Sequence, residues 1–264
     1  MSNLSSLLLS IEYLNEEDSK PKPEKIQIKE NIQKVTVGYF NEAILTKEGN
    51  VFAKGEYINS KNPKEFINIS SLIKNKNDRI IEDIVSGYNS IYLLTSNQNA
   101  YGIGLNYNNQ LGFDSKTLPK TQKPILMMKN VSKIFSGNSS DCVFLLNSNQ
   151  ELFGCGYNYY GQLGLGESIE ETKIQKLTKI QNIPKGKIID IKCGNSHSII
   201  YLFNGLGKYT YEFTEIKSSL FENDDNILDI SVGFHHTLIL TSKGKLIGFG
   251  YNSFGQLGTG DTEP

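Results

Sequence analysis

The stretch Glu151 to Gly166 reads ELFGCGYNYYGQLGLG. It opens with the apolar pair Leu152-Phe153, alternates glycine at Gly154 and Gly156, and places the polar Asn158 before the tight cluster Gly161-Gln162-Leu163-Gly164. The same words return at Lys245 to Gly260, KLIGFGYNSFGQLGTG, with Gly248, Gly250, Asn252, Gly255, Gln256, Leu257 and Gly258 in the matching places. A worn copy, AYGIGLNYNNQLG, runs from Ala100 to Gly112. Repetition this specific is the organising fact of the chain.

Working outward, a second set of words precedes each copy. Versions of VGFHHTLILTSKGKLIGFG begin near Val35, Asp83, Lys133, Asp190 and Asp229, anchored on Gly38, Gly87, Gly137, Gly194 and Gly233. The anchors stand 49, 50, 57 and 39 residues apart. A period near 50 is in the range of propeller blades. Each unit holds a short apolar strand, a near-continuous apolar run such as Ile91 to Leu94, a glycine-bearing turn such as Lys47 to Asn50, and the Leu-Phe-Gly strand. A fourth strand falls in the linker, as at Pro124 to Met127. Strands covered on both faces carry continuous apolar runs rather than strict alternation. The turns supply glycine for positive φ.

The units are expected at about 34–82, 83–132, 133–189 and 190–228, with partial units at 1–33 and 229–264, all within one domain spanning 1–264. Leu7 to Asn15 reads as a worn copy of LIGFGYN. The first and fourth units lack Gln-Leu-Gly. The Lys-rich linkers 69–83 and 167–187 read as solvated loops with room for a short helical turn.

The glycines inside the third strand, Gly154 and Gly156 or Gly248 and Gly250, are expected to let another backbone approach closely. Leu163 and Leu257 are the single apolar residues of their turns and are expected to plug the seam between blades. The Gln amides are placed to satisfy loop backbone groups that burial would otherwise orphan.

Bulk composition narrows the function. The 264 residues carry 27 basic and 28 acidic side chains, so there is no basic excess for sequence-independent phosphate binding. Gly at 24 residues against Pro at 7 suits strands and turns rather than disorder. Cys142, Cys155 and Cys193 match no zinc or CxxC spacing and read as small buried hydrophobes in a reducing compartment, cytoplasmic or nuclear. No apolar run is long enough to span a bilayer, and the N-terminus lacks the basic region and cleavage site of a signal peptide.

Catalytic signatures are missing. The Gly-x-Gly pairs lack a third glycine and do not open helices, so they are not nucleotide fingerprints. There is no Gly-x-Ser-x-Gly elbow. The three histidines, His197, His235 and His236, show no metal or triad spacing. No cofactor, metal site or catalytic residue is assigned.

The strings GYNYYGQLGLG, GYNSFGQLGTGD and VGFHHTLILTSKGKLIGFG resemble the repeat of the regulator-of-chromosome-condensation family. Two strong and three worn copies cover nearly the whole chain. The resemblance implies an all-β fold, a β-propeller. Family propellers usually have seven blades, and this chain has matter for about five. That departure leaves three forms: a small ring, an incomplete arc of a seven-bladed propeller, or an arc completed by a partner. An open arc would expose apolar blade faces and favour self-association. A repeat fold with no assembled catalytic set reads as a non-catalytic protein-interaction scaffold; the resemblance implies, as the alternative, a guanine-nucleotide exchange factor for a Ran-like small GTPase. In exchange-factor members, acidic and histidine residues of the Gly-x-x-His loops contact the GTPase. Here those positions are Asp141, His197, His235 and His236. The same loops carry Tyr39, Phe40, Tyr88 and Phe234 rather than acids.

Overall fold

A computed structural model describes residues 8–10, 24–26, 28–166, 173–181, 183, 185–202, 205–209, 213–216 and 225–263. Most of Leu7 to Asn15, and with it the reading of that stretch as a worn repeat, lies outside them.

The described residues form antiparallel sheets in chain order. A two-stranded sheet pairs β1 (Leu8–Ser10) with β2 (Glu24–Ile26). Four meanders of four strands follow. They are β3 (Ile32–Val37), β4 (Asn41–Thr46), β5 (Val51–Gly55) and β6 (Ile67–Asn68); β7 (Ile81–Ser86), β8 (Ser90–Thr95), β9 (Ala100–Leu105) and β10 (Lys120–Met128); β11 (Val131–Phe135), β12 (Cys142–Asn147), β13 (Leu152–Tyr157) and β14 (Lys173–Lys179); and β15 (Ile188–Cys193), β16 (Ser198–Leu202), β17 (Gly205–Tyr209) and β18 (Phe213–Glu215). A three-stranded sheet of β19 (Ile227–Val232), β20 (His236–Thr241) and β21 (Leu246–Gly250) ends the series. This is the β-propeller arrangement that the repeats imply.

From β3 onward, successive sheets bury their faces against one another, and the core lies in these seams. Phe144, Leu146, Leu152 and Leu163 pack with Ile188, Ile191, Cys193, Ile200 and Leu202 of the following sheet. Leu111 plugs the preceding seam beside Val131, Val143 and Cys155. The last sheet differs. Leu240 and Leu246 are 40% and 60% exposed, where their counterparts Leu146 and Leu152 are 2% and 1% exposed.

The anchor glycines exist because neighbouring sheets converge there. A Cβ on Gly38 would meet the Gly87 carbonyl oxygen, and one on Gly137 would meet the Cys193 carbonyl oxygen. The third-strand glycines divide the work differently from the sequence expectation. The space at Gly154 is filled by the Leu163 and Ile180 side chains, not by backbone, whereas Gly156 (φ +109°) faces the Asp141 carbonyl oxygen. Gly154 therefore makes room for the seam plug and Gly156 for the neighbouring strand.

The linkers also depart from expectation. Residues 69–83 carry the expected short helical turns and expose much of their length, but they are anchored in the core. Ile69, Ile73 and Ile81 are core residues, set by 3-10 turns at Ser70–Leu72 and Lys76–Asp78. Asp78 is buried and accepts from Tyr101 Oη at 2.6 Å, Asn99 Nδ2 at 3.0 Å, Asn75 Nδ2 at 3.0 Å and Asn97 Nδ2 at 3.2 Å. Burial pushes its carboxyl up, but these bonds together outweigh burial and hold it below its ordinary value. In the linker 167–187, Lys173–Lys179 is a strand that closes its sheet.

Candidate functional site: the loop end of the propeller

In an antiparallel meander the first and third connections lie at the same end of the sheet. The loops after Gly38, Gly87, Gly137, Gly194 and Gly233 therefore share one end with the Asn-x-x-Gly-Gln-Leu-Gly turns.

The turns are built alike. Asn106, Asn158 and Asn252 are buried, and each accepts through Oδ1 from the amide five residues on, of Leu111, Leu163 and Leu257, at 2.8, 2.9 and 2.9 Å. Gln110, Gln162 and Gln256 accept through Oε1 from the amides of Asn108, Tyr160 and Phe254 at 2.9, 3.1 and 3.0 Å. These bonds fold the turn and bury the leucine. Gly161 (φ +71°) and Gly255 (φ +71°) occupy the left-handed position, which Asn109 (φ +61°) takes in the worn copy.

The other end of Gln162 and of Gln110 crosses the seam. Gln162 Nε2 donates to the Asn195 carbonyl at 2.8 Å, and Gln110 Nε2 donates to Asp141 Oδ1 at 3.2 Å. Backbone bonds run beside them: Tyr39 N–H to the Tyr88 carbonyl at 3.0 Å, Tyr88 N–H to the Ser140 carbonyl at 2.8 Å, and Asn195 N–H to the Phe234 carbonyl at 3.2 Å. A chain of hydrogen bonds thus links the loops of successive sheets.

The four residues singled out in the sequence all lie on this linked end. Asp141 is half-buried. Its carboxylate accepts from Asn108 Nδ2 at 2.8 Å and from Gln110, both on the preceding sheet's turn. Burial raises its carboxyl above the ordinary value, against the Asn108 bond and the more distant Lys173 ammonium. His197 is buried, and its Nε2 shares a 2.8 Å hydrogen bond with Thr237 Oγ1 across the seam. His235 is exposed; its Nδ1 lies 2.6 Å from Ser196 Oγ, with its ring edge-on to Phe234 and Tyr251. His236 is half-buried, with its ring filling the space beside Gly233. The histidines are thus distributed along a seam rather than converged on one point. The Ser196–His235 bond joins the same two loops as the His197–Thr237 bond.

The prominent exposed groups of this end are aromatic. Tyr39 stacks on Tyr88 with centroids 4.6 Å apart, and Phe40 stands edge-on to both. Tyr157, Tyr159 and Tyr160 form a second cluster, and Tyr251 with Phe254 a third group beside Phe234 and His235. Tyr39 is 63% exposed and Phe254 85%. Sequence reasoning saw Tyr39, Phe40, Tyr88 and Phe234 only as replacements for acids. Their clustering depends on loops about 50 residues apart, which no local signal reveals.

Among the described residues no helix is long and apolar enough to cross a membrane, and no group of three metal-ligating side chains comes together.

The comparisons agree with this architecture. The regulator of chromosome condensation (RCC1) repeat model matches residues 149–201, and a second model of that repeat matches 227–256. The chain is 26% identical over 195 residues to the ultraviolet-B receptor UVR8 of Arabidopsis thaliana, covering 69% of this chain and 43% of that protein. It is 28% identical over 217 residues to the probable E3 ubiquitin-protein ligase HERC4 of Homo sapiens, covering 75% of this chain and 20% of that protein. The chain therefore spans less than half the length of either relative. Among solved structures, human WBSCR16 superposes with a TM-score of 0.76 at 19% identity over 92% of this chain and 69% of the other. Prp20p from Saccharomyces cerevisiae gives 0.67 at 18% over 83% and 57%. Repeated turns, seam-plugging leucines, repeat models and superposed propellers converge: the chain carries regulator of chromosome condensation repeats, matched at 149–201 and 227–256, in a β-propeller arrangement.

Proposed function

We propose that this chain is a non-catalytic protein-interaction scaffold and that it engages its partner through the loop end. The observation that carries this reading is the run of exposed tyrosine and phenylalanine rings on that end, held on loops that are hydrogen-bonded to one another. Protein interfaces concentrate tyrosine and phenylalanine, and rings fixed in place lose little entropy on binding. The near-neutral net charge leaves short-range contacts, rather than long-range steering, to set specificity. The tests are Tyr159→Asp and Phe254→Asp, each placing a charge on an exposed ring position. A saturable, stoichiometric partner whose capture is lost in both variants, and kept in a variant of the opposite end such as Lys243→Asp, supports the scaffold. Equal capture by all of them removes the loop end from the reading.

The alternative is guanine-nucleotide exchange on a small GTPase. It draws on the likeness to Prp20p, whose structure was described together with its binding to Gsp1p and histones, and on the loop-end positions of Asp141, His197, His235 and His236. Fold likeness is a weak warrant for activity. Release of labelled nucleotide from a panel of purified small GTPases decides it. Acceleration that falls in Asp141→Ala favours exchange, and no acceleration across the panel removes it.

A further inference from the structure

Asp141 is the point at which two of the aromatic clusters meet. Its own carbonyl accepts the Tyr157 amide at 3.0 Å, which ties it to the Tyr157–Tyr159–Tyr160 cluster. The carbonyl of the adjacent Ser140 accepts the Tyr88 amide at 2.8 Å, which ties it to the Tyr39–Phe40–Tyr88 cluster. The carboxylate is held by two neutral amides, of Asn108 and Gln110. Amide donors orient a carboxylate but do not neutralise it. After burial and the ring neighbours, the Asp141 charge is a further cause that raises the phenols of Tyr88 and Tyr157, which places it in electrical reach of both clusters. The Lys173 ammonium nearby is exposed and donates to the Tyr107 carbonyl at 3.1 Å.

A partly desolvated carboxylate, on a loop tied by backbone hydrogen bonds to two tyrosine clusters, has the chemistry of a cation receptor. The carboxylate supplies charge-assisted hydrogen bonds, and the rings supply cation–π attraction to a guanidinium or ammonium group. Resting on the scaffold reading above, we propose that Asp141 and the tyrosines on either side of it form a subsite for a basic side chain, arginine or lysine, presented by an extended segment of a protein partner. Charge complementarity selects this occupant: an apolar or acidic segment would bury the Asp141 charge further, with only the exposed Lys173 ammonium to offset it.

The test uses the full chain and its own fluorescence. The sequence has 14 tyrosines and no tryptophan, so emission reports directly on tyrosine rings. The probes are three heptapeptides of alternating glycine with arginine, lysine or citrulline. A basic peptide is expected to change the emission saturably and to bind about tenfold more tightly than the citrulline peptide, with the advantage shrinking as salt rises. The arginine and lysine peptides distinguish the two cations. Asp141→Asn is expected to weaken binding about tenfold and Tyr88→Ala several-fold, while Lys173→Ala, which removes a competing cation, tightens it. Tyr39→Ser provides a fold-neutral check, since that ring is exposed, and it too should weaken binding. Equal binding of the citrulline peptide, no binding of either basic peptide, or a Tyr39→Ser and Asp141→Asn pair that both bind as the parent does, overturns the subsite. Those results leave the scaffold reading to the capture experiment with Tyr159→Asp and Phe254→Asp, so the two fail separately.

Discussion

The Gln162 side-chain amide donates across a sheet boundary to the Asn195 main-chain carbonyl at 2.8 Å, while its oxygen accepts the Tyr160 amide at 3.1 Å. One buried side chain therefore satisfies its own turn and the neighbouring loop. Gln162→Ala leaves both backbone groups short of a partner and is expected to cost about 2 kcal/mol. Gln256→Ala, at a half-buried position of the last sheet, should cost about 1 kcal/mol or less. Urea midpoints of the two variants check the ordering.

Leu163 and Leu257 differ in the same sense. Leu163 is fully buried among the residues of the following sheet, whereas Leu257 is 9% exposed in a sheet whose Leu240 and Leu246 face solvent. Leu163→Ala is expected to destabilise by about 3 kcal/mol and Leu257→Ala by about 1 kcal/mol, measured by denaturant unfolding.

Gly137→Ala tests the convergence of neighbouring sheets. The added methyl would collide with the Cys193 carbonyl, which is backbone and cannot swing aside. A loss of about 3 kcal/mol or failure to fold is expected. Gly166→Ala, at φ +87° but in open space, carries only backbone strain of about 1 kcal/mol. Comparing the thermal midpoints of the two separates collision from strain.

Two carboxylates give opposite pH signatures. Asp78 has its folded pKa lowered, because its four side-chain hydrogen bonds together outweigh burial. Its contribution is present above the unfolded value of about 3.9 and is lost as pH falls through the folded value. The stability advantage of the parent over Asp78→Asn should therefore shrink on acidification. Asp141 has its folded pKa raised, chiefly by burial. Its charge therefore counts against folding as pH rises from the unfolded value to the folded one, and the parent should lose ground to Asp141→Asn over that window. Chemical unfolding of both pairs across the carboxylate range checks the two signs.

The propeller was legible because its turn is chemically over-determined. Asn158, Gly161, Gln162 and Leu163 each have a distinct task within eight residues, so three copies at one spacing identify the fold. The buried linker was harder to see. Ile69, Ile73 and Asp78 sit among lysines and asparagines; Asp78 is held by Tyr101 and Asn99, more than 20 residues away, and the two isoleucines join the core cluster that contains Tyr101. The split between Gly154 and Gly156 was hidden for a similar reason. Both look like strand glycines, and only the neighbours tell a side chain from a carbonyl. At the loop end, Asp141 could be picked out by its place after the anchor glycine. Its partners Asn108 and Gln110 belong to the previous copy, and local sequence does not announce a bond across a seam.

Within a single turn, buried and exposed positions alternate closely. Asn158, Gln162 and Leu163 are buried, while Tyr159 and Tyr160 between them face solvent. The matching exposed pair is Ser253 and Phe254 in the last copy. Substitutions at those two sites change side chains that face solvent, so stability and partner choice can drift independently. A lineage that duplicates such a unit gains a fresh pair of variable positions already mounted on a rigid base, and new specificity can evolve without first passing through a poorly folded ancestor.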